Sequence, residues 1–180
     1  MKQNKETFQG IIITGGPGSG KTTLRQELEK LGYPVHHEVA RRVIKEQLDL
    51  GTDAVPWKDI HAFSTLAKTV MLQEFPYNAI GTHFFDRGIP DLVGYFKAGG
   101  HTVPQEYLEA LKQVNYHSRV FILPPWKEVY SVDNERKESF EEACYVFECL
   151  KNTYIELGFE LVEVPQLYVT QRITFFLELL

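Results

Sequence analysis

Eight consecutive residues constrain this chain more than any others: Gly15-Gly16-Pro17-Gly18-Ser19-Gly20-Lys21-Thr22. They fit the pattern of a glycine, four free positions, then Gly-Lys and a hydroxyl residue, in the setting that pattern needs. The apolar run Ile11-Ile12-Ile13 precedes it, and Leu24, Leu28 and Leu31 follow at helical spacing. Three of the four positions from Gly15 to Gly18 lack a Cβ, so the backbone can wrap closely round phosphate oxygens with its N–H groups pointing inward. A helix starts there, and its unpaired N–H groups and positive dipole end favour an anion. Lys21 is expected to reach the β and γ phosphates, and the Thr22 hydroxyl to ligate Mg²⁺. With Thr23, these residues form the expected nucleoside-triphosphate site. The alternative, a glycine-rich turn that matches by chance, has four constrained positions and the correct flanks against it.

The rest of the chain fits the fold this loop belongs to. Short apolar runs alternate with longer helical patterns, the mark of a parallel α/β sheet. Strands are predicted at 8–14, 33–38, 80–86, 119–123 and 159–164. Helices are predicted at 22–31, 39–50, 57–75, 91–98, 105–114, 135–157 and 169–180. Five strands with crossovers make a three-layer, doubly wound α/β/α domain, and no linker or repeat divides residues 1–180. Residues 51–114 read as a helical insertion on the acceptor side, and 126–137 as a lid.

Composition narrows the function classes. With 19 basic and 24 acidic residues the formal net charge is −5, so the bulk positive field that dominates nucleic-acid binding is missing. The two cysteines, Cys144 and Cys149, lie in an apolar periodic stretch as core residues would, with no disulfide or zinc spacing. No apolar run approaches the ~20 residues that span a bilayer, and the polar start MKQNKETFQG has no signal-peptide core. The expectation is a soluble, reducing, cytoplasmic protein.

Beyond the loop, the ends of the predicted strands carry the candidates, because ligands of open α/β sheets bind outside those ends. His83-Phe84-Phe85-Asp86-Arg87-Gly88 places Asp86 at such an end, to hold the Mg²⁺ shell or take a proton. Arg87 suits a phosphoryl oxygen. The bland alternative is a helix cap paired with its neighbour. Glu38, ending the second strand, is a second candidate base or Mg²⁺ organiser, or else a helix-start acid favoured by the dipole. His36 and His37 read as structural. After Pro124-Pro125, Lys127, Arg136 and Lys137 are candidates to neutralise charge on a transferred phosphoryl group, Arg136 first, against the reading of a solvated helix start. Asp133 reads as that helix's N-cap. The guanine-reading Asn-Lys-x-Asp signature is absent from any useful place, which leaves ATP and GTP both open.

The loop, Glu38-x-x-Arg41, Phe85-Asp86-Arg87-Gly88-Ile89-Pro90-Asp91, Phe121 to Trp126 and Asp133-x-x-Arg136 together resemble the small AAA-domain family of predicted ATPases. That family is similar to nucleoside and nucleotide kinases, including the ribosylnicotinamide kinase domain. The resemblance implies a P-loop NTPase fold with strand order 2-3-1-4-5, a mobile lid, and acceptor-site roles for Asp86, Arg87 and Glu38. The leading expectation is a kinase that uses Mg²⁺ and ATP on a small-molecule acceptor held under helices 57–75 and 91–114. A nucleotide-dependent switch that hydrolyses slowly and signals to a protein or lipid is the rival, and a binding domain without activity a third.

Overall fold

The computed structural model describes residues 7–16, 18–129 and 139–180. The elements run β1 (Gln9–Gly15), α1 (Lys21–Lys30), β2 (Val35–His36), α2 (Val39–Asp49), α3 (Ile60–Gln73), β3 (Thr82–Asp86) and α4 (Ile89–Ala98). Then come α5 (Gln105–Leu111), β4 (Arg119–Leu123), a 3-10 turn (Lys127–Val129), α6 (Phe140–Glu156), β5 (Glu160–Glu163) and α7 (Val169–Leu177). The strands form one parallel sheet in the order β2-β3-β1-β4-β5, so β1 is its middle strand.

Alternation along β1 builds both layers. Ile11 and Ile13 pack with Leu24 and Leu28 of α1 and Phe176 of α7. Ile12 packs oppositely, with Phe85, Val120 and Tyr154 of α6. A further core on that second face joins Phe63, Ala67 and Met71 of α3 to Leu92 and Phe96 of α4 and Tyr107 of α5. The β-branched run thus marks a strand buried on both faces, as its lack of alternation implied.

Several boundaries differ from the sequence expectation for local reasons. β2 is two residues long, at the sheet edge behind Pro34, and pairs only through Val35↔Phe84 and His36↔Phe85. The helix expected from residue 57 starts at Ile60, because Asp59 caps it by accepting the Ala62 N–H at 2.9 Å. Trp57 consequently lies outside it and is exposed. Helix α4 starts two residues early, at Ile89, which moves Asp91 from the expected first position to the third. The long helix starts at Phe140, and its cap is Ser139, not Asp133. Ser139 Oγ accepts the Glu142 N–H at 3.1 Å and Glu142 returns the bond at 2.6 Å. Its buried face carries Ala143, Phe147, Leu150 and Tyr154, while Cys144 and Cys149 are free thiols, only half-buried. The lid expected at 126–137 falls mostly on residues 130–138, outside the described residues.

Phe176 is fully buried and stacks on Phe121 with ring centroids 3.7 Å apart, pinning α7 to the sheet. Phe176→Ala is expected to lower the unfolding free energy by about 3–5 kcal/mol in urea denaturation. A loss under about 1 kcal/mol would show that α7 stands outside the cooperative core.

Candidate active site

The glycine-rich loop leaves β1 at Gly15, whose φ of +142° and contact with β4 admit no side chain. A Cβ there would lie 2.4 Å from the Leu123 carbonyl oxygen. Gly18 and Gly20 also take positive φ, at +72° and +80°. Helix α1 begins directly after Gly20 with no side chain capping its first turn, so those N–H groups face the loop unclaimed. Thr22 and Thr23 are exposed there, and Pro17 lies outside the described residues.

Lys21 turns inward. Its Nζ is 3.8 Å from Asp86 Oδ1, and the side chain is nearly buried. Burial first, then the Arg87 guanidinium, pulls the Lys21 pKa below its ordinary value, while Asp86, Glu38 and Asp91 pull it back up. One turn along the same helix face, Arg25 brings Nε to 3.7 Å from Asp86 Oδ2. Both distances suit ion pairs and are too long for hydrogen bonds. Accordingly, among the described residues, Asp86 Oδ1 and Arg25 Nε are buried without a hydrogen-bond partner, as is Ser19 Oγ in the loop. Arg25 escaped the sequence reading, although its spacing of four from Lys21 places both on one helical face. Exposed His37 contacts Arg25, and its Nε2 lies 2.7 Å from Glu29 Oε1. Both His36 and His37 line the cavity beside the site, and His36 also stacks on Phe85 and hydrogen-bonds His83.

Arg87 points away from Asp86. It takes φ +71°, the left-handed region unusual for a residue with a side chain, and is 8% exposed. Its Nε donates to Glu38 Oε1 at 3.0 Å and its Nη1 to Asp91 Oδ1 at 3.2 Å. Glu38 is partly desolvated, which alone would raise its pKa, but Arg87, Lys21 and Arg41 outweigh that and hold it below its ordinary value. Asp91, quoted in the sequence only as part of the family motif, is a buried clamp to which sequence reasoning gave no role. Only 1% exposed, it accepts bonds from Thr14 Oγ1, from Gly88 N–H at 2.9 Å and from Tyr154 Oη at 2.6 Å as well as from Arg87. The signal was present in Gly88-Ile89-Pro90-Asp91, a helix start with an acid at its third position.

A cavity of about 310 Å³ opens beside this clamp, bounded by Val35, Val39, Met71, Phe85, Arg87 and Tyr116. Helices α2 and α3 border it and α4 and α5 do not, so of the expected roof over 57–75 and 91–114 only the first part lines this cavity. The aromatics Phe96 and Tyr107 are core residues. The structure thus gathers Lys21, Asp86, Arg87 and Glu38 at one end of the sheet. Arg136 and Lys137 lie outside the described residues, and Lys127 is exposed.

Sheet order, the glycine-rich turn after the middle strand and helices on both faces define the P-loop NTPase fold in its nucleotide-kinase form. Within it, the chain belongs to the AAA domain family, whose model matches residues 10–172. Among solved structures, deoxyadenosine kinase from M. mycoides is similar over 94% of this chain and 97% of its own, at 16% identity and a TM-score of 0.65. Thymidylate kinase from Ehrlichia chaffeensis matches over 96% and 98%, at 14% identity and a TM-score of 0.64. The NadR protein in complex with NR matches over 94% of this chain and 49% of its own, at 18% identity and 0.64. No curated protein matches the chain. Among the described residues no helix is long and apolar enough to cross a membrane, and no cluster of His, Cys, Asp and Glu suits a metal held by protein alone.

The depressed pKa of Glu38 has a defined sign in stability. Its contribution is present above the unfolded-state value near 4.5 and is lost as pH falls through the lower folded value. The stability gap between wild type and Glu38→Gln should be widest near neutrality and narrow on acidification below pH 4.5, followed by urea denaturation. A gap independent of pH would show that Glu38 is not ionised against Arg87.

Proposed function

We propose that this protein is a Mg²⁺- and ATP-dependent kinase of a small hydroxylated acceptor. The observation that carries the reading is the Asp86 carboxylate, buried between Lys21 and Arg25 at the mouth of the glycine-rich loop, its Oδ1 in ion-pair range of Lys21 yet without a hydrogen bond among the described residues. An unsatisfied buried acceptor of this kind costs about 1–3 kcal/mol, a penalty that a ligand at the site would relieve. The loop backbone from Gly15 to Thr23, including Gly16, Pro17 and Ser19, wraps the triphosphate. Lys21 neutralises its β and γ phosphates. Asp86 and the Thr22 hydroxyl are hard oxygen donors, the kind Mg²⁺ prefers, and would hold it between them. When bound, that ion supplies charge neutralisation on the phosphates.

The acceptor occupies the cavity beside Arg87. Glu38, held by Arg87 of the cavity wall, receives the acceptor's proton or orients its hydroxyl. Held below the ordinary pKa, it is a weak base, which a loose phosphoryl-transfer transition state tolerates. Arg87, pinned at both ends, presents fixed positive charge to the transferring group. Arg136 would add to that charge from the lid. The base of the nucleotide is taken as adenine, with guanine the alternative, and titration of GTP beside ATP decides between them.

Three variants and one screen check this. Lys21→Ala is expected to abolish tight ATP binding in calorimetry at unchanged fold. Asp86→Asn should weaken the Mg²⁺-dependent part of binding as well as turnover. Glu38→Gln should bind nucleotide almost normally and lose turnover by about 10²–10⁴-fold. In the screen, some nucleoside, cofactor precursor or sugar should raise ADP production well above slow basal hydrolysis. No stimulation, together with nucleotide-dependent binding of a protein or lipid, would replace the kinase reading by that of a switch.

A further inference from the structure

A loop can turn its N–H groups toward a phosphate only if its carbonyls turn the other way, and a buried carbonyl then needs a donor of its own. At Ser19 that donor comes from the last helix of the chain. Arg172 of α7 donates from Nη1 to the Ser19 carbonyl at 3.2 Å and from Nε to the Leu167 carbonyl at 2.8 Å. The guanidinium fills the space behind the loop so closely that a Cβ on Gly20 would come within 2.8 Å of Nη1. Its other neighbour is Trp126, with the guanidinium carbon 5.0 Å from the ring centre. Gln166 ties the same region together by donating to the Pro125 carbonyl at 2.8 Å.

Arg172 differs from the other buried arginine in its electrostatics. Arg87 lies between two carboxylates, whereas Arg172 is 8% exposed and, among the described residues, has no acid in ion-pair range. Burial lowers its pKa, and no neighbouring charge opposes that shift. A buried cation without a counter-charge is unfavourable, and anchoring α7 does not require one, since Phe176 and Ile173 already pack that helix on the sheet. An anion in the loop that Arg172 backs would supply the missing counter-charge. Ser19 Oγ, buried and unpartnered in the same stretch, points to the same conclusion.

We propose that Arg172 is a positioning residue of the phosphate loop, fixing the Ser19 carbonyl outward and lending the site a positive charge matched only when a polyphosphate is bound. The inference rests on the reading of the loop as a phosphate site. It also implies that Trp126, in contact with Arg172, senses loop occupancy. The chain has two tryptophans, and exposed Trp57 can be replaced by Phe to leave Trp126 as the sole reporter.

The test titrates ATP and inorganic tripolyphosphate into Trp57→Phe protein carrying Arg172→Met, Arg172→Gln or Arg172→Lys, with Lys21→Ala as reference. Arg172→Met is expected to weaken both ligands by roughly 10- to 100-fold, the range for losing a charged hydrogen bond, and to abolish the Trp126 emission change. Arg172→Lys should recover part of the affinity, and Arg172→Gln less. Should the Met variant fail to fold by circular dichroism, the Lys-to-Gln difference decides alone. Equal affinity of the Lys and Gln variants for tripolyphosphate, or wild-type affinity in all three while Lys21→Ala loses binding, would make Arg172 an α7 anchor and overturn the inference. If Lys21→Ala also binds normally, the phosphate reading of the loop falls with it.

Discussion

The Asp91 carboxylate is the interaction on which the site's geometry rests. A carboxylate in a protein interior is tolerated only with its charge answered by donors, and here they arrive from separate parts of the fold. Thr14 comes from the middle strand, Gly88 and Arg87 from the turn after β3, and Tyr154 from α6. Burial, then Asp91, raises the Tyr154 pKa well above its ordinary value, so this phenol stays a donor. The bonds lock the β3–α4 turn. A left-handed arginine costs about 1–2 kcal/mol, and it persists because Glu38 and Asp91 hold both ends of the guanidinium. That turn also sends consecutive residues to different tasks: Asp86 faces Lys21, while Arg87 lines the neighbouring cavity.

Charge at the site divides into a tight half and a loose half. Arg87 is bonded to Glu38 and Asp91 at 3.0 and 3.2 Å, distances at which hydrogen bonds and charge act together. Asp86 shares Lys21 and Arg25 at 3.8 and 3.7 Å without a hydrogen bond to either. Cations paired so loosely can turn to a stronger anion with little loss. The loose half lies at the glycine-rich loop, and the tight half borders the cavity. This division accords with a flexible, highly charged donor on one side and an acceptor that must be held in one orientation on the other.

Local chemistry explains which parts were legible in the sequence. The loop was readable because close backbone approach demands glycine at fixed positions, as the Gly15–Leu123 contact bears out. Strand order followed from the family resemblance, and the apolar runs marked strands buried on both faces. The edge was harder: β2 shrinks to two residues because an edge strand has a single partner, and apolar pattern carries no record of that. Asp133 misled as a cap although Ser139-x-x-Glu142 carried the stronger reciprocal signal. Asp91 and Arg172 were opaque for another reason. The helix start at Gly88–Asp91 is a local signal, but Asp91 also meets Thr14 and Tyr154, 77 and 63 residues away. Arg172 meets Ser19 across 153, and no local spacing encodes such meetings.

The central claim is that the backbone between Gly15 and Thr23 is a polyphosphate cradle completed by Lys21 and Asp86. Two-dimensional amide NMR of labelled protein titrated with ATP and Mg²⁺ tests it most directly. The account predicts that the amide signals of Ser19, Gly20, Lys21 and Thr22 shift most, saturate together, and move similarly with tripolyphosphate. Unmoved loop amides, or the largest shifts arising elsewhere on the chain, would contradict it.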